Sequence, residues 1–198
     1  MKAAILDYGS GNLHSLARAV RSSGSVPTIT ADVKEALACD ALLLPGVGAF
    51  GSAAASIASS LDELKSALLD GMPCLGICLG MQLLFDSSDE GEGEGLGVIP
   101  GTVRRLPGLR IPHMGWNTID ERSDPILLSS GLETAYFANS YACVPANPAV
   151  VTAWTTHESE RFPAAVRAGH IAGVQFHPEK SSSMGVRLIA DFLEEARA

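Results

Sequence analysis

The chain has 198 residues, with 14 Lys+Arg against 22 Asp+Glu and a formal net charge of −8. A composition of 46% apolar and 18% charged residues is globular and excludes global disorder, and an acidic balance without basic clusters excludes non-specific nucleic-acid binding, which needs Lys and Arg against phosphates. No run approaches the roughly 18 apolar residues of a bilayer span, and Asp7 and its glycines interrupt any amino-terminal signal core, so a soluble, cytoplasmic protein without membrane partners is expected.

In chain order, residues 3–6 form a short apolar run that ends in the turn cluster Asp7-Tyr8-Gly9-Ser10-Gly11. Leu13, Leu16, Ala17 and Val20 recur at helical spacing, with Gly24 where a helix-terminating residue belongs. Residues 26–30 read as a strand whose Pro27 places it at a sheet edge. Asp32, followed three residues later by Glu35, predicts a capping box for a short helix through Leu37. The apolar run 41–44 stops at Pro45-Gly46-Val47-Gly48. Ile57, Leu61, Leu64 and Leu68 then mark a helical stripe, and the buried run 74–77 passes directly into a helix over 79–85. This alternation predicts an α/β fold, a central and mostly parallel sheet flanked by helices, in a single domain over 1–198. Ligands of such sheets bind at the carboxyl ends of the strands. Residues 7–12, 45–48 and Cys78 all fall there.

After Phe85 the composition changes. Residues 86–95 hold five acids among glycines, which predicts a solvated, flexible loop; the spacing lacks the ligand pattern of an EF-hand. A β-rich second half follows to Phe176, including a hairpin of 164–167 with 170–176 around Ala168-Gly169. Leu188, Ile189, Phe192, Leu193 and Ala196 predict a C-terminal amphipathic helix.

Cys39, Cys74, Cys78 and Cys143 are too few for a disulfide scaffold, and no second Cys pair or His pair completes a metal site. Each reads first as a small buried hydrophobe. Cys78 has a second reading. Gly76-Ile77-Cys78-Leu79-Gly80 has the form G-x-nucleophile-x-G between a predicted strand and a predicted helix, where a sharp turn projects the central side chain and the helix amino end favours a thiolate.

Of the five histidines, His177 stands out through Val174-Gln175-Phe176-His177-Pro178-Glu179. Pro178 keeps His177 out of helical dihedrals. In an extended chain, residues two apart share a side, so Glu179 can reach the ring and stabilise its cationic form. Alone, such a pair marks an exposed strand end; with Cys78 it completes a Cys–His–Glu set. The N–H of Leu79 supplies one oxyanion donor. A second is expected from Pro45-Gly46-Val47-Gly48, a strand-end loop where two glycines make peptide rotation sterically cheap. Read alone, that loop is an ordinary glycine-rich connection.

Leu44-Pro45-Gly46-Val47-Gly48, Gly76-Ile77-Cys78-Leu79-Gly80-Met81-Gln82 and Gln175-Phe176-His177-Pro178-Glu179 together resemble class I (triad-type) glutamine amidotransferases, in family order and over nearly the whole chain. More narrowly, Asp7-Tyr8-Gly9-Ser10-Gly11-Asn12, Pro112-His113-Met114-Gly115-Trp116-Asn117 and His177-Pro178-Glu179-Lys180-Ser181 are similar to glutaminase subunits of imidazole glycerol phosphate synthase. Met81 stands where several sister glutaminases carry histidine. Asn139 replaces a commonly seen histidine.

The resemblance implies a flavodoxin-like fold and hydrolysis of L-glutamine to glutamate and ammonia, with no cofactor and no metal. Cys78 would be the nucleophile, His177 the base and Glu179 its orienting carboxylate. Leu79, Val47 and Gly48 would form the oxyanion hole, and Gln82, Ser140 and Tyr141 would hold the substrate. It further implies a heterodimer in which ammonia passes to a cyclase subunit in histidine biosynthesis. Asn12, Trp116 and Lys180 are the expected contacts with that partner, which is expected to switch the glutaminase on. The alternatives are a glutaminase subunit serving pyridoxal phosphate or anthranilate synthesis, and a non-catalytic regulatory subunit of the same fold. The first lacks the motifs at 7–12 and 112–117, and the second would not need Cys78, His177 and Glu179.

Overall fold

The computed structural model describes residues 1–9 and 13–197, and its first half follows the alternation read from the sequence. Strands β1 (Lys2–Leu6), β2 (Val26–Thr30), β3 (Ala41–Leu44) and β4 (Cys74–Ile77) are connected by α1 (Leu13–Ser22), α2 (Val33–Leu37), α3 (Phe50–Ile57) and α4 (Leu61–Leu69), and β4 runs into α5 (Leu79–Gln82). The second half holds β5 (Ser87–Ser88), β6 (Gly101–Arg105), β7 (His113–Thr118), α6 (Pro125–Ser130), β8 (Thr134–Asn139) and β9 (Tyr141–Pro145). It closes with β10 (Val151–His157), β11 (Glu160–Ala168), β12 (Ile171–Val174) and α7 (Ser182–Glu195).

A seven-stranded sheet has the order β10-β11-β12-β4-β3-β1-β2. β12, β4, β3, β1 and β2 run parallel; β11 is antiparallel to β12, and β10, antiparallel to β11, forms one edge. β2 is the other edge, where Pro27 costs no ladder hydrogen bond. Both faces are covered, and side-chain alternation divides the core. Ala3, Ile5, Ala41 and Leu43 pack with α1, α6 and α7; Ala4, Leu6, Leu42 and Leu44 pack with α2, α3 and α4. Two smaller sheets, β5-β6-β9 and the β7-β8 pair, supply the rest of the β-rich half.

Several local expectations are corrected. Asp32 caps α2 through Lys34 N–H, but its own N–H donates to Thr30 Oγ1 at 3.0 Å, so the reciprocal bond from Glu35 is not made. The stripe from Ile57 to Leu68 is divided by a 3-10 turn at Ala58–Ser60. The helix expected over 79–85 ends at Gln82. The cause is tertiary: the carbonyls of Leu83, Leu84 and Phe85 accept from the N–H groups of Leu96, Ile99 and Gly97 at 2.7, 3.0 and 3.2 Å. The acidic segment 86–95 is pinned rather than free, since Asp86 accepts from Gly101 N–H and Glu90 from Phe50 N–H, both at 2.8 Å. The β11–β12 hairpin turns at Gly169-His170, one residue later than expected.

A charged cluster ties α6, β11 and α7 together. The Arg167 guanidinium donates to both oxygens of the buried Asp124 at 2.8 and 2.9 Å and to Glu195 at 2.8 Å, while Asp124 also caps α6 through Ile126 N–H. Arg167→Met strands the Asp124 charge and should cost about 3–5 kcal/mol. Asp124→Asn keeps a capping group and should cost less. Urea unfolding midpoints of the two variants check the order.

Candidate active site

Parallel pairing sets the site. Ile77 and Val174 are register partners on β4 and β12, so Cys78 and Gln175 leave the sheet side by side at its carboxyl edge. Cys78 adopts φ 51 and ψ −103, a conformation that costs a non-glycine residue about 1–3 kcal/mol unless the surroundings impose it. Here they do. Its N–H donates to the Val174 carbonyl at 2.7 Å, and α5 starts at the next residue. The flanking glycines are required by close approach: a Cβ at Gly80 would lie 2.0 Å from the Leu44 carbonyl oxygen, and one at Gly76 would lie 2.6 Å from that of Gly80.

His177 is held from two sides. Its N–H donates to the Tyr136 carbonyl at 2.9 Å, and Ser181 Oγ donates to the His177 carbonyl at 2.6 Å while accepting from Tyr136 N–H at 2.9 Å. His177 is extended, with φ −100 and ψ 95, but Pro178–Lys180 is a 3-10 turn rather than a continuation of the strand. The turn still presents Glu179, whose Oε1 accepts from His177 Nδ1 at 2.9 Å. Burial works against the charged ring, whereas hydrogen bonding with Cys78 and Glu179, and then their charges, favours it; the balance raises the His177 pKa to about 9.

A polar relay backs the sulfur. Gln82 Nε2 donates to the Tyr141 carbonyl at 3.2 Å and to Gln175 Oε1 at 3.4 Å, and Gln175 Nε2 donates to Cys78 Sγ at 3.4 Å. Asn139 Nδ2 donates to the same Tyr141 carbonyl at 3.0 Å. In front of the sulfur lies a cavity of about 200 Å³. Cys78, Leu79, Gln82 and His177 line one part of it, and Val47, Gly48, Ser140, Tyr141 and Lys180 line another. A buried thiol, a base with its own carboxylate and a small polar cavity suit nucleophilic attack on a carbonyl of an amino-acid-sized molecule.

A family model described as "Glutamine amidotransferase class-I" matches residues 4–196. The chain is a class I glutamine amidotransferase. It is 43% identical over 202 residues to "Imidazole glycerol phosphate synthase subunit HisH" of Microcystis aeruginosa, covering 98% of this chain and 95% of that one. To the protein of the same name from Synechocystis sp. it is 44% identical over 200 residues, covering 97% and 95%. Among solved structures, a "glutamine amidotransferase" superposes with a TM-score of 0.77 at 21% identity, covering 99% of both chains. The Thermotoga maritima structure titled "PurLQS" gives 0.71 at 17%, covering 98% of both.

In this amidotransferase the fold gathers nine of the residues singled out in the sequence at one cavity, with Glu179 behind the ring of His177. Trp116 is elsewhere: it sits on the separate β7–β8 pair, 57% exposed, its ring edge-on to Tyr136. Asn12 lies outside the described residues. Gly46, part of the loop singled out in the sequence, is also in the cavity wall; sequence reading missed Glu90 there and Gln175 as a donor to the sulfur. Gln175 was legible as the residue leaving a strand beside the elbow; Glu90 carried no local signal.

The raised His177 pKa links folding to pH. A ring with a pKa of about 9 when folded and about 6.5 when unfolded adds stability that is complete below the lower value and lost as pH rises through the higher one. Cys78→Ala removes the hydrogen-bond partner that most favours the charged ring. NMR titration should show the His177 pKa falling from about 9, and the stability lost between neutral and alkaline pH should shrink.

Proposed function

We propose that this chain is the glutaminase subunit of imidazole glycerol phosphate synthase, hydrolysing L-glutamine and passing ammonia to a cyclase subunit. The observation that carries the proposal is the Cys78 turn facing His177, itself bonded to Glu179 at 2.9 Å, in a chain 43% identical over nearly its full length to subunits of that name. The proton that Cys78 gives up resides on His177, whose raised pKa of about 9 keeps the ring cationic; Sγ attacks the side-chain amide carbon, and the ring returns that proton to the departing ammonia. Water, deprotonated by His177, then cleaves the thioester. Glu179 holds the ring and stabilises its cationic form. The N–H groups of Leu79 and of Val47 or Gly48 face the developing oxyanion.

Gln82 and the backbone of Ser140 and Tyr141 hold the amino-acid end of the substrate. Glu90 adds an anion for the substrate ammonium, which supports binding of an α-amino acid rather than a simple amide. No step calls for a cofactor.

The partner surface is read from the outward face of β7. Met114 and Trp116 alternate on it, 64% and 57% exposed, beside the cavity wall contributed by Ala138 of β8. An apolar pair of this size next to a catalytic cavity supports docking of the cyclase there, with Lys180 at the cavity and Asn12 as the further proposed contacts.

Glutamine turnover tests this reading. Cys78→Ala should abolish it, and a glutamine-analogue electrophile should label Cys78 alone among the four cysteines. His177→Ala should lose about 100- to 10,000-fold, and Glu179→Gln should retain more activity, since the amide still orients the ring. Addition of the cognate cyclase should raise turnover by about the 100- to 1,000-fold that one oxyanion donor contributes. Equal rates with and without the partner would refute the switch, and failure to complement a histidine auxotroph would refute the pathway.

A further inference from the structure

We propose that the Tyr8 hydroxyl is a positioning group for the oxyanion loop, holding the Pro45 carbonyl and so fixing the peptide from which that loop departs. This rests on the glutaminase reading above. Tyr8 leaves the end of β1 and Pro45 the end of β3, and the two strands are parallel neighbours. The phenol O–H donates to the Pro45 carbonyl oxygen across the gap between them. The ring itself is buried in the apolar cluster that holds Leu44, Phe50 and Leu79. Burial, with Cys78 and Cys74 nearby, keeps the phenol well above its usual range, so the hydroxyl stays a donor at any working pH.

The consequence follows from backbone geometry. Proline fixes its own φ through the ring, and a bond to its carbonyl fixes ψ, so residue 45 has no remaining soft dihedral. The peptide is planar, and the direction of Gly46 N–H is therefore set as well. Gly46 in turn packs on the nucleophile's turn: a Cβ there would come 2.1 Å from the Ile77 carbonyl oxygen and 2.8 Å from Cys78 Cβ. Val47 and Gly48 thus project from a base anchored to Tyr8 on one side and to Cys78 on the other. Oxyanion donors act only when placed at hydrogen-bond distance from the oxygen of the intermediate, so rotation about Pro45 would misdirect them. A second tie, from Ser56 Oγ of α3 to the Tyr8 carbonyl at 3.4 Å, holds the tyrosine itself.

Packing alone would be satisfied by phenylalanine at this position, which supplies the test. In the complex with the cyclase, Tyr8→Phe should lower kcat for glutamine by about 10- to 100-fold, a part of the loss expected for a missing oxyanion donor. KM should stay near the wild-type value, because the substrate is held by other groups. Alkylation of Cys78 by iodoacetamide builds no oxyanion and should proceed at the wild-type rate, with the urea midpoint little changed. An unchanged kcat would overturn the proposal. So would a kcat loss matched by slower alkylation or by unfolding, either of which makes the hydroxyl merely structural. A wild-type complex that does not hydrolyse glutamine overturns the glutaminase reading itself, and is recognised before any variant is made.

Discussion

The chain turns sharply at Cys78 in a space that admits no side chain at position 76 or 80. Gly80 lies under the Leu44 carbonyl and Gly76 under that of Gly80, at separations where a single added carbon would overlap backbone atoms. Those contacts, with the bond from Cys78 N–H to Val174, hold a strained dihedral pair that no local preference would select. Because the turn is locked to β3 and β12 at once, the loop after β3 and the segment after β12 are brought to the same sulfur. Glycine-x-cysteine-x-glycine is therefore a packing requirement between three strands and a helix before it is a catalytic motif.

Charge at the site is arranged around His177. Desolvation alone would leave the ring neutral, and Cys78 and Glu179 reverse that outcome. Glu179 holds the ring of His177, and Ser181 and Tyr136 hold its peptide groups in a closed set of hydrogen bonds. Tyr136 is also the residue against which the exposed Trp116 ring packs. Trp116 and His177 thus both contact Tyr136 of β8, and a surface contact at Trp116 is a single residue away from His177.

The acidic segment shows how a solvated composition can conceal a structural role. Most of its carboxylates face water, but Asp86 holds Gly101 N–H and Glu90 holds Phe50 N–H. The second of these bonds satisfies a donor at the start of α3 and brings a carboxylate into the cavity wall.

The sequence by itself determined the layered α/β alternation and the positions at strand ends where chemistry had to lie, because side-chain periodicity and glycine placement are local records of burial and turning. It also singled out Cys78, His177 and Glu179, which the fold brings together, since an elbow and a histidine followed by proline have recognisable chain geometry. Where α5 stops, which carboxylate of the acidic segment is captured, and how Tyr8, Gln175 and Trp116 are disposed were decided by tertiary structure alone. Each depends on groups far apart in the chain: carbonyls of 83–85 taken by N–H groups of 96–99, Glu90 reaching Phe50, Tyr8 reaching Pro45 and Gln175 reaching Cys78. Hydrogen bonds of that span leave no periodicity in the sequence, because only the assembled sheet sets the distance over which they form.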